Sequence, residues 1–197
     1  LDSVLAYDLK EEKYVTIKKE DMKLGYRSSI FNHGEDAGRY LIISMTIHLS
    51  HDTLTPPFYT SLQNYVEEHQ ITDFSPKSIR EMVTEIRWSK LPKPEEMASS
   101  GSFFKNVYLD DAEADRLRGM NVPVWEGNKV PSGWLIDHAG LKGMVFHGMR
   151  VSEKAALILI NESAQSYAHL KQAREEIVSI IEKKYGLTLQ QEPVELE

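Results

Sequence analysis

The stretch that most constrains this chain is its longest amphipathic segment, residues 163–186. Leu170, Ile177, Ile180 and Ile181 share one helical face, Ser163 stands where an N-cap would, and Gly186 stops the pattern. A helix with such a stripe must lay it against another layer. Immediately upstream, AALILIN at residues 155–161 reads as a buried strand. Helix and strand therefore belong to one core, and the rest of the chain must be arranged around it.

The remaining text mixes the two periodicities. Residues 4–17 alternate apolar and polar around a KEEK turn, the signature of a hairpin with one wet face. YLIISMTIHL at residues 40–49 is denser in apolar residues and reads as a more deeply buried strand. Thr-Pro-Pro followed by Phe58, Leu62 and Val66 at four-residue spacing predicts a helix or an ordered loop with helical turns. A further helix follows from Ser75 as cap, Pro76 at its first position, and Ile79, Met82, Val83 and Ile86 on one face, with Pro92 and Pro94 ending it. PSGWLIDHAG predicts a short helix from Ser132 closing on Gly140, and LTLQQEPVEL reads as a last strand. There is no strict βαβ alternation, so the expected class is α+β rather than a doubly wound sheet. No repeat or low-complexity tract interrupts the chain.

Composition narrows the function. With 197 residues, 41% hydrophobic and 27% charged, the chain has globular usage. Thirty acidic against 23 basic residues give a formal charge of −7. That excludes a broad electrostatic footprint for nucleic acid or anionic lipid, while leaving room for a local basic pocket on a small anion. The lack of cysteine removes disulfides, thiolate metal sites and cysteine nucleophiles. No window of 18 apolar residues and no signal peptide is present, so a cytoplasmic location without membrane contact is expected. The sequence opens on Leu1 and in strand-like text, which reads as entry into a longer protein, and Leu196 and Glu197 read as a cloning scar.

Four groups of polar residues carry candidate chemistry, each with a plainer alternative. Arg27 in YRSSIF lies between regular segments beside aromatics, where a guanidinium fork can grip a carboxylate or phosphate. Spacing alone favours the plainer reading, a surface arginine paired with a nearby acid. Arg87 and Lys90 in RWSKLPKP close a helix, and helix termination explains them unaided. In GSFFKN, Gly101 permits a turn, Ser102 offers a hydroxyl, the two phenylalanines can exclude water, and Lys105 and Asn106 offer donors. A serine hydroxyl is a poor acid unless the charge it leaves is stabilised nearby, and a Gly-Ser turn anchored by buried phenylalanine fits equally well. Glutamates of the closing QQEPVELE are normally solvated. Seven scattered histidines form no HExxH pair, so no metal site is expected. No P-loop, GxGxxG or GxSxG motif occurs.

In order, GYRSSIF, RWSKLPKP, GSFFKN, SGWLIDHAGLKG, VSEKAALILIN and YGLTLQQE resemble the UDP-N-acetylenolpyruvoylglucosamine reductase (UDP-N-acetylmuramate dehydrogenase) family across essentially the whole chain. The resemblance implies a cytoplasmic flavoprotein of peptidoglycan precursor synthesis. Such an enzyme uses FAD and NADPH to reduce UDP-N-acetylglucosamine enolpyruvate. Nothing here resembles the family's Gly-rich FAD-binding region, so the resemblance is to its carboxy-terminal part. Residues 1–50 would end the β-rich second FAD-binding lobe, and residues 51–197 would form a mixed α+β substrate-binding domain of the longer, type I kind.

Carried over residue by residue, the resemblance makes Ser102 the proton donor. Arg27 would hold the substrate carboxylate, and Glu192 would assist charge stabilisation from the last strand, with Glu195 as the candidate if the register slips. Tyr59, Lys90 and Asn106 would contact the UDP-sugar, and Tyr26 with Arg27 would lie near the flavin. Ala155 stands where the family commonly has Gln or His, so one substrate contact is lost or replaced. A fragment of this kind is expected to retain no flavin and to be inactive alone. The alternative reading is a nucleotide-sugar binding module without redox activity.

Overall fold

The structure is a computed structural model that describes residues 1–93 and 95–195. Pro94, paired above with Pro92 as a helix stop, and the terminal Leu196 and Glu197 lie outside the described residues. The fold is α+β, with antiparallel sheets and no crossover βαβ unit among the described residues. The chain divides into two compact units, Leu1–Thr53 and Leu54–Glu197.

The first unit is a three-stranded antiparallel sheet in the order β2-β1-β3. Strand β1 (Ser3–Asp8) and β2 (Lys13–Lys18) form the predicted hairpin, in register Val4 to Ile17 and Tyr7 to Tyr14. The turn is held by Asp8, whose Oδ1 accepts from the amides of Lys10 at 3.0 Å and Glu11 at 3.2 Å. Strand β3 (Tyr40–Thr46) pairs with the other side of β1 and carries a bulge opposite Leu5 and Ala6. Val4, Ala6, Ile17 and Met22 make a small core, with Phe31 and Tyr40 against it.

The burial expected of residues 40–49 is corrected here. The segment is a strand, but Leu41 is 57% and Met45 61% exposed, and Ile42, Ile43, Ile47 and Leu49 are exposed as well. The strand lies at the sheet edge beside β1 alone, and its residues after Tyr40 are exposed on both faces among the described residues.

The second unit starts with a helical pair. Helix α1 (Thr60–Glu68) and α2 (Pro76–Lys90) pack on each other through Leu62, Val66, Met82 and Ile86, with Phe58 and Phe74 in edge contact at 5.2 Å. Helix α2 begins as the sequence requires: the Ser75 hydroxyl accepts from the amide of Ser78 at 3.3 Å and Pro76 takes the first turn.

A four-stranded antiparallel sheet follows, in the order β4-β9-β8-β7. Its strands are β4 (Ala98–Ser102), β7 (Val145–Phe146), β8 (Met149–Val151) and β9 (Ile158–Asn161). Between them come β5 (Val107–Tyr108), α3 (Asp111–Gly119), β6 (Lys129–Val130) and α4 (Ser132–His138). Helix α5 (Tyr167–Tyr185) lays Ala173, Ile177, Ile181 and Tyr185, one every four residues, onto the main core. Leu170 and Ile180 flank this stripe in partial burial.

Helix α5 begins after Ser166, not at Ser163. Residues 161–164 are held in a turn by Asn161, which accepts from the Ala164 amide at 2.9 Å and donates to its carbonyl at 3.1 Å, while Ser163 donates to the Gly148 carbonyl. The far end is as expected, with Gly186 left-handed at φ 70° and its amide on the Glu182 carbonyl. The closing segment forms a single bridge, Gln191 to Phe104, in place of the expected strand. Leu187 and Leu189 are buried in the main core, and past the bridge Pro193 has no amide to extend a ladder.

Candidate active site

Ser102 owes its position to its neighbour. Gly101 has φ +75°, a conformation costly for any residue with a Cβ, and the β4–β9 register slips between Ser99 and Ser102. The resulting bulge bends the end of β4 and re-aims the residue that follows. Ser102 thereby joins the wall of an open cleft of about 610 Å³. Phe103 and Phe104 sit behind it in the main core, 3% and 2% exposed and in edge contact at 5.1 Å. They anchor the strand and do not line the cleft, so the water-excluding role envisaged for them is replaced by a packing one.

Several elements supply the other walls. Tyr59 and Ser61 stand at the start of α1, Arg87 and Lys90 at the end of α2, Trp134 and Asp137 on α4, and Lys154 to Ile158 on the turn into β9. The two helices are tied at the rim, where Lys90 Nζ donates to Ser61 Oγ at 3.1 Å. The β8–β9 turn is set by buried Ser152, whose hydroxyl accepts from the amides of Lys154 at 3.3 Å and Ala155 at 3.4 Å. Ala155 presents only a methyl group to the space.

Charge makes the cleft selective. Arg87, Lys90, Lys142 and Lys154 line it against a single carboxylate, Asp137, which pairs with Lys142 at 3.1 Å. In a chain of formal charge −7 this is a local concentration of cations, fitted to a small, multiply charged anion such as a diphosphate. Trp134 adds an aromatic face, stacked on His138 at 3.7 Å.

Three of the predicted residues, Tyr59, Lys90 and Ser102, thus converge on one cleft from three elements. Asn106 is elsewhere: its Oδ1 accepts from the Ser132 amide at 3.1 Å, and the Ser132 hydroxyl donates to the Lys105 carbonyl at 2.5 Å. It holds the first turn of α4, whose cap position is occupied by Pro131 and has no side-chain acceptor of its own.

Glu192 lies in the closing segment opposite Phe103, the residue after Ser102, and is not among the residues that line the cleft. Its amide donates to the Phe103 carbonyl at 2.7 Å, and the Lys105 amide donates to the Gln190 carbonyl at 2.8 Å, around the Phe104–Gln191 bridge. Glu195 is committed to α5, where Tyr167 and Arg174 both hold its carboxylate and push its pKa down, Tyr167 the more strongly. Tyr26 and Arg27 belong to the first unit. There they sit in a tight turn bridged from Gly25 to Ser28, with Arg27 at φ +53° and its guanidinium 5.4 Å from the Tyr26 ring. Among the described residues no group of three or more His, Asp or Glu is assembled for a metal ion.

Arg87, Lys142, Lys154 and Trp134 escaped sequence reasoning as site residues. Arg87 was visible only as a helix terminator, and the others are separated from it by 45 residues or more, with no spacing that marks their convergence.

Comparison with known proteins leads to the same family as the motifs. Residues 93–196 match the model of the UDP-N-acetylenolpyruvoylglucosamine reductase C-terminal domain. The UDP-N-acetylenolpyruvoylglucosamine reductases of Ralstonia nicotianae and Idiomarina loihiensis are each 32% identical over 98% of this chain, covering 58% and 57% of their own lengths. The chain thus spans a little over half of these relatives. The crystal structure of UDP-N-acetylenolpyruvylglucosamine reductase from Thermus caldophilus superposes with a TM-score of 0.55 at 18% identity, over 98% of this chain and 52% of that one, a likeness of fold. By its family match, its relatives and the order of its motifs, this chain belongs to the UDP-N-acetylenolpyruvoylglucosamine reductase C-terminal domain family.

Proposed function

We propose that the protein to which this chain belongs is an NADPH-dependent flavoenzyme that reduces UDP-N-acetylglucosamine enolpyruvate to UDP-N-acetylmuramate in the cytoplasm. On this reading Leu54–Glu197 is its substrate-binding part and Leu1–Thr53 the end of a flavin-binding lobe. The observation that carries the reading is the placement of Ser102 on the wall of a cation-lined cleft together with Tyr59 and Lys90.

The substrate joins a diphosphate, an amide-bearing sugar and a carboxylate. Arg87, Lys90, Lys142 and Lys154 offer charge-assisted donors for the diphosphate, and Tyr59 stands at the cleft rim where it can cover the sugar. The family's contact from Asn106 could be made by its side-chain NH2, or by the second lone pair of the oxygen that serves the Ser132 amide.

For the flavin, the residues present fit only in part. A dinucleotide diphosphate calls for a glycine-rich backbone cradle, and this sequence has none. Tyr26 and Arg27 offer one aromatic ring and one cation, and the cradle is assigned to the portion of the relatives that this chain does not span. A flavin bound by the complete protein would supply the hydride for one carbon of the enolpyruvyl double bond, the chemistry that this chain's own side chains do not provide. Ser102 delivers the proton to the neighbouring carbon and is reprotonated from solvent. Proton transfer from a hydroxyl of ordinarily high pKa requires stabilised charge around the reacting carboxylate, a task to which Glu192 of the same unit is assigned.

The test is Ser102→Ala in the complete protein. Oxidation of NADPH by the bound flavin persists while formation of the reduced product is lost; retention of product formation at the wild-type rate sinks the assignment. The isolated chain is expected to bind no flavin and to show no turnover.

A further inference from the structure

The closing segment reaches the neighbourhood of Ser102 as a short stretch of backbone, joined by two amide hydrogen bonds around one bridge. That is little to fix the position of a functional glutamate. A second set of contacts holds the same segment from the other side. Arg174, on α5 and about four-fifths buried, donates through Nη1 to both Gln191 Oε1 and Glu195 Oε1. Gln191 Nε2 in turn donates to the Pro193 carbonyl at 3.0 Å and to Glu195 Oε1 at 2.9 Å. Tyr167, in the first turn of α5, completes the grip on Glu195. Gln191 and Glu195 bracket Glu192, Pro193 and Val194, so one guanidinium on a core helix spans the three residues between them.

We infer that Arg174 is a positioning residue for the reaction: by clamping Gln191 and Glu195 to α5 it fixes the register of the closing segment on Phe103–Lys105, and thereby the place of Glu192 opposite Phe103, the residue that follows Ser102. The inference rests on the function proposed above. It does not require Arg174 to touch substrate. Removal of the clamp leaves the cleft walls intact, since none of the residues that line the cleft belongs to α5 or to the closing segment. The effect therefore belongs in the chemical step and not in substrate affinity. The Tyr167 and Arg174 contacts that push the Glu195 pKa down extend the charged form, and with it the clamp, further toward acid pH.

The experiment compares Arg174→Ala, Arg174→Lys and Glu195→Ala with wild type in the complete protein. A misplacement near 1 Å at a reacting centre costs up to about a hundredfold, so kcat for product formation falls roughly ten- to a hundredfold in Arg174→Ala and Glu195→Ala. KM for the UDP-sugar and the rate of flavin reduction by NADPH stay within about twofold of wild type, because uniform binding is untouched. Arg174→Lys recovers part of kcat, as an ammonium keeps the charge but lacks the fork. In parallel, amide exchange at Glu192 and Lys105 accelerates in both alanine variants while the amides of α5 and the thermal midpoint hold. Wild-type kcat in Glu195→Ala, or unchanged exchange at Glu192, overturns the inference. An inactive wild-type protein with accelerated exchange in the variants would instead retain the clamp and overturn the proposed function.

Discussion

Asp8 and Arg39 form a two-toothed ion pair in the first unit, with Nε on Oδ1 at 2.9 Å and Nη2 on Oδ2 at 2.7 Å. The Asp8 side chain is 3% exposed, and Arg39 reaches on to Asp36 at 2.8 Å. The pair joins the β1–β2 turn to the residue that enters β3, so the hairpin and the third strand share one electrostatic tie.

The Arg39 hydrogen bonds, helped by the two turn amides, hold the Asp8 carboxyl well below the usual carboxylate range. A carboxyl whose pKa is lower folded than unfolded contributes stability above its unfolded value, and loses that contribution as pH falls through the folded one. The thermal midpoint is therefore expected to decline as pH drops below about 4, the ordinary aspartate value, and the decline should be shallower in Asp8→Asn. Scanning calorimetry of both proteins between pH 6 and pH 2, a range that brackets ordinary carboxylate titration, checks this; parallel curves would refute it.

Gly148 and Gly101 separate space from backbone strain. A Cβ at Gly148, φ +82°, would stand 2.6 Å from the Ala164 amide nitrogen and 2.8 Å from the Ser163 carbonyl carbon, both backbone atoms. A Cβ at Gly101 meets nothing within 4 Å. Gly101→Ala should therefore cost about 1–2 kcal/mol from left-handed strain alone. Gly148→Ala adds a clash with the turn before α5 and should cost more than about 3 kcal/mol. Chemical denaturation ranks them, and equal losses would contradict the assignment of the clash.

Lys90 should matter for binding far more than for folding. Its ammonium reaches Ser61 Oγ in an exposed hydrogen bond, which contributes little to stability. A lost charge-assisted bond to a phosphate is worth about 1.5–3 kcal/mol, so Lys90→Met should weaken binding of the UDP-sugar roughly ten- to a hundredfold. Titration calorimetry reads the affinity, and a denaturation midpoint displaced by less than about 2 °C confirms intact folding.

The legible parts of the fold were those whose signals are local. Ser75, Pro76 and the Ile79–Ile86 stripe fix α2, and Gly186 ends α5, because caps and periodicity act within a few residues. Burial is not local. The apolar text of β3 could not reveal that this strand would have a single neighbour, nor could Ser163 compete with the Asn161–Ala164 clasp that delays α5. At the site, Gly101 and Ser102 were visible as a motif, whereas the four cations of the cleft come from α2, the α4–β7 loop and the β8–β9 turn. Asn106 shows the converse: a polar residue beside a functional motif whose observed bond serves the start of a helix.

Strand β3 has a practical consequence for anyone working with this chain at high concentration. Its outer row of amides and carbonyls has no partner strand among the described residues, and apolar side chains stand on both of its faces. Such an edge is a template for stacking one copy on another, so precipitation and fibre growth should initiate there before the second unit loses its packing. A lysine at Ile43, which sits at the bulge where pairing with β1 is already interrupted, is the gatekeeper change that should raise solubility with the least disturbance to the sheet.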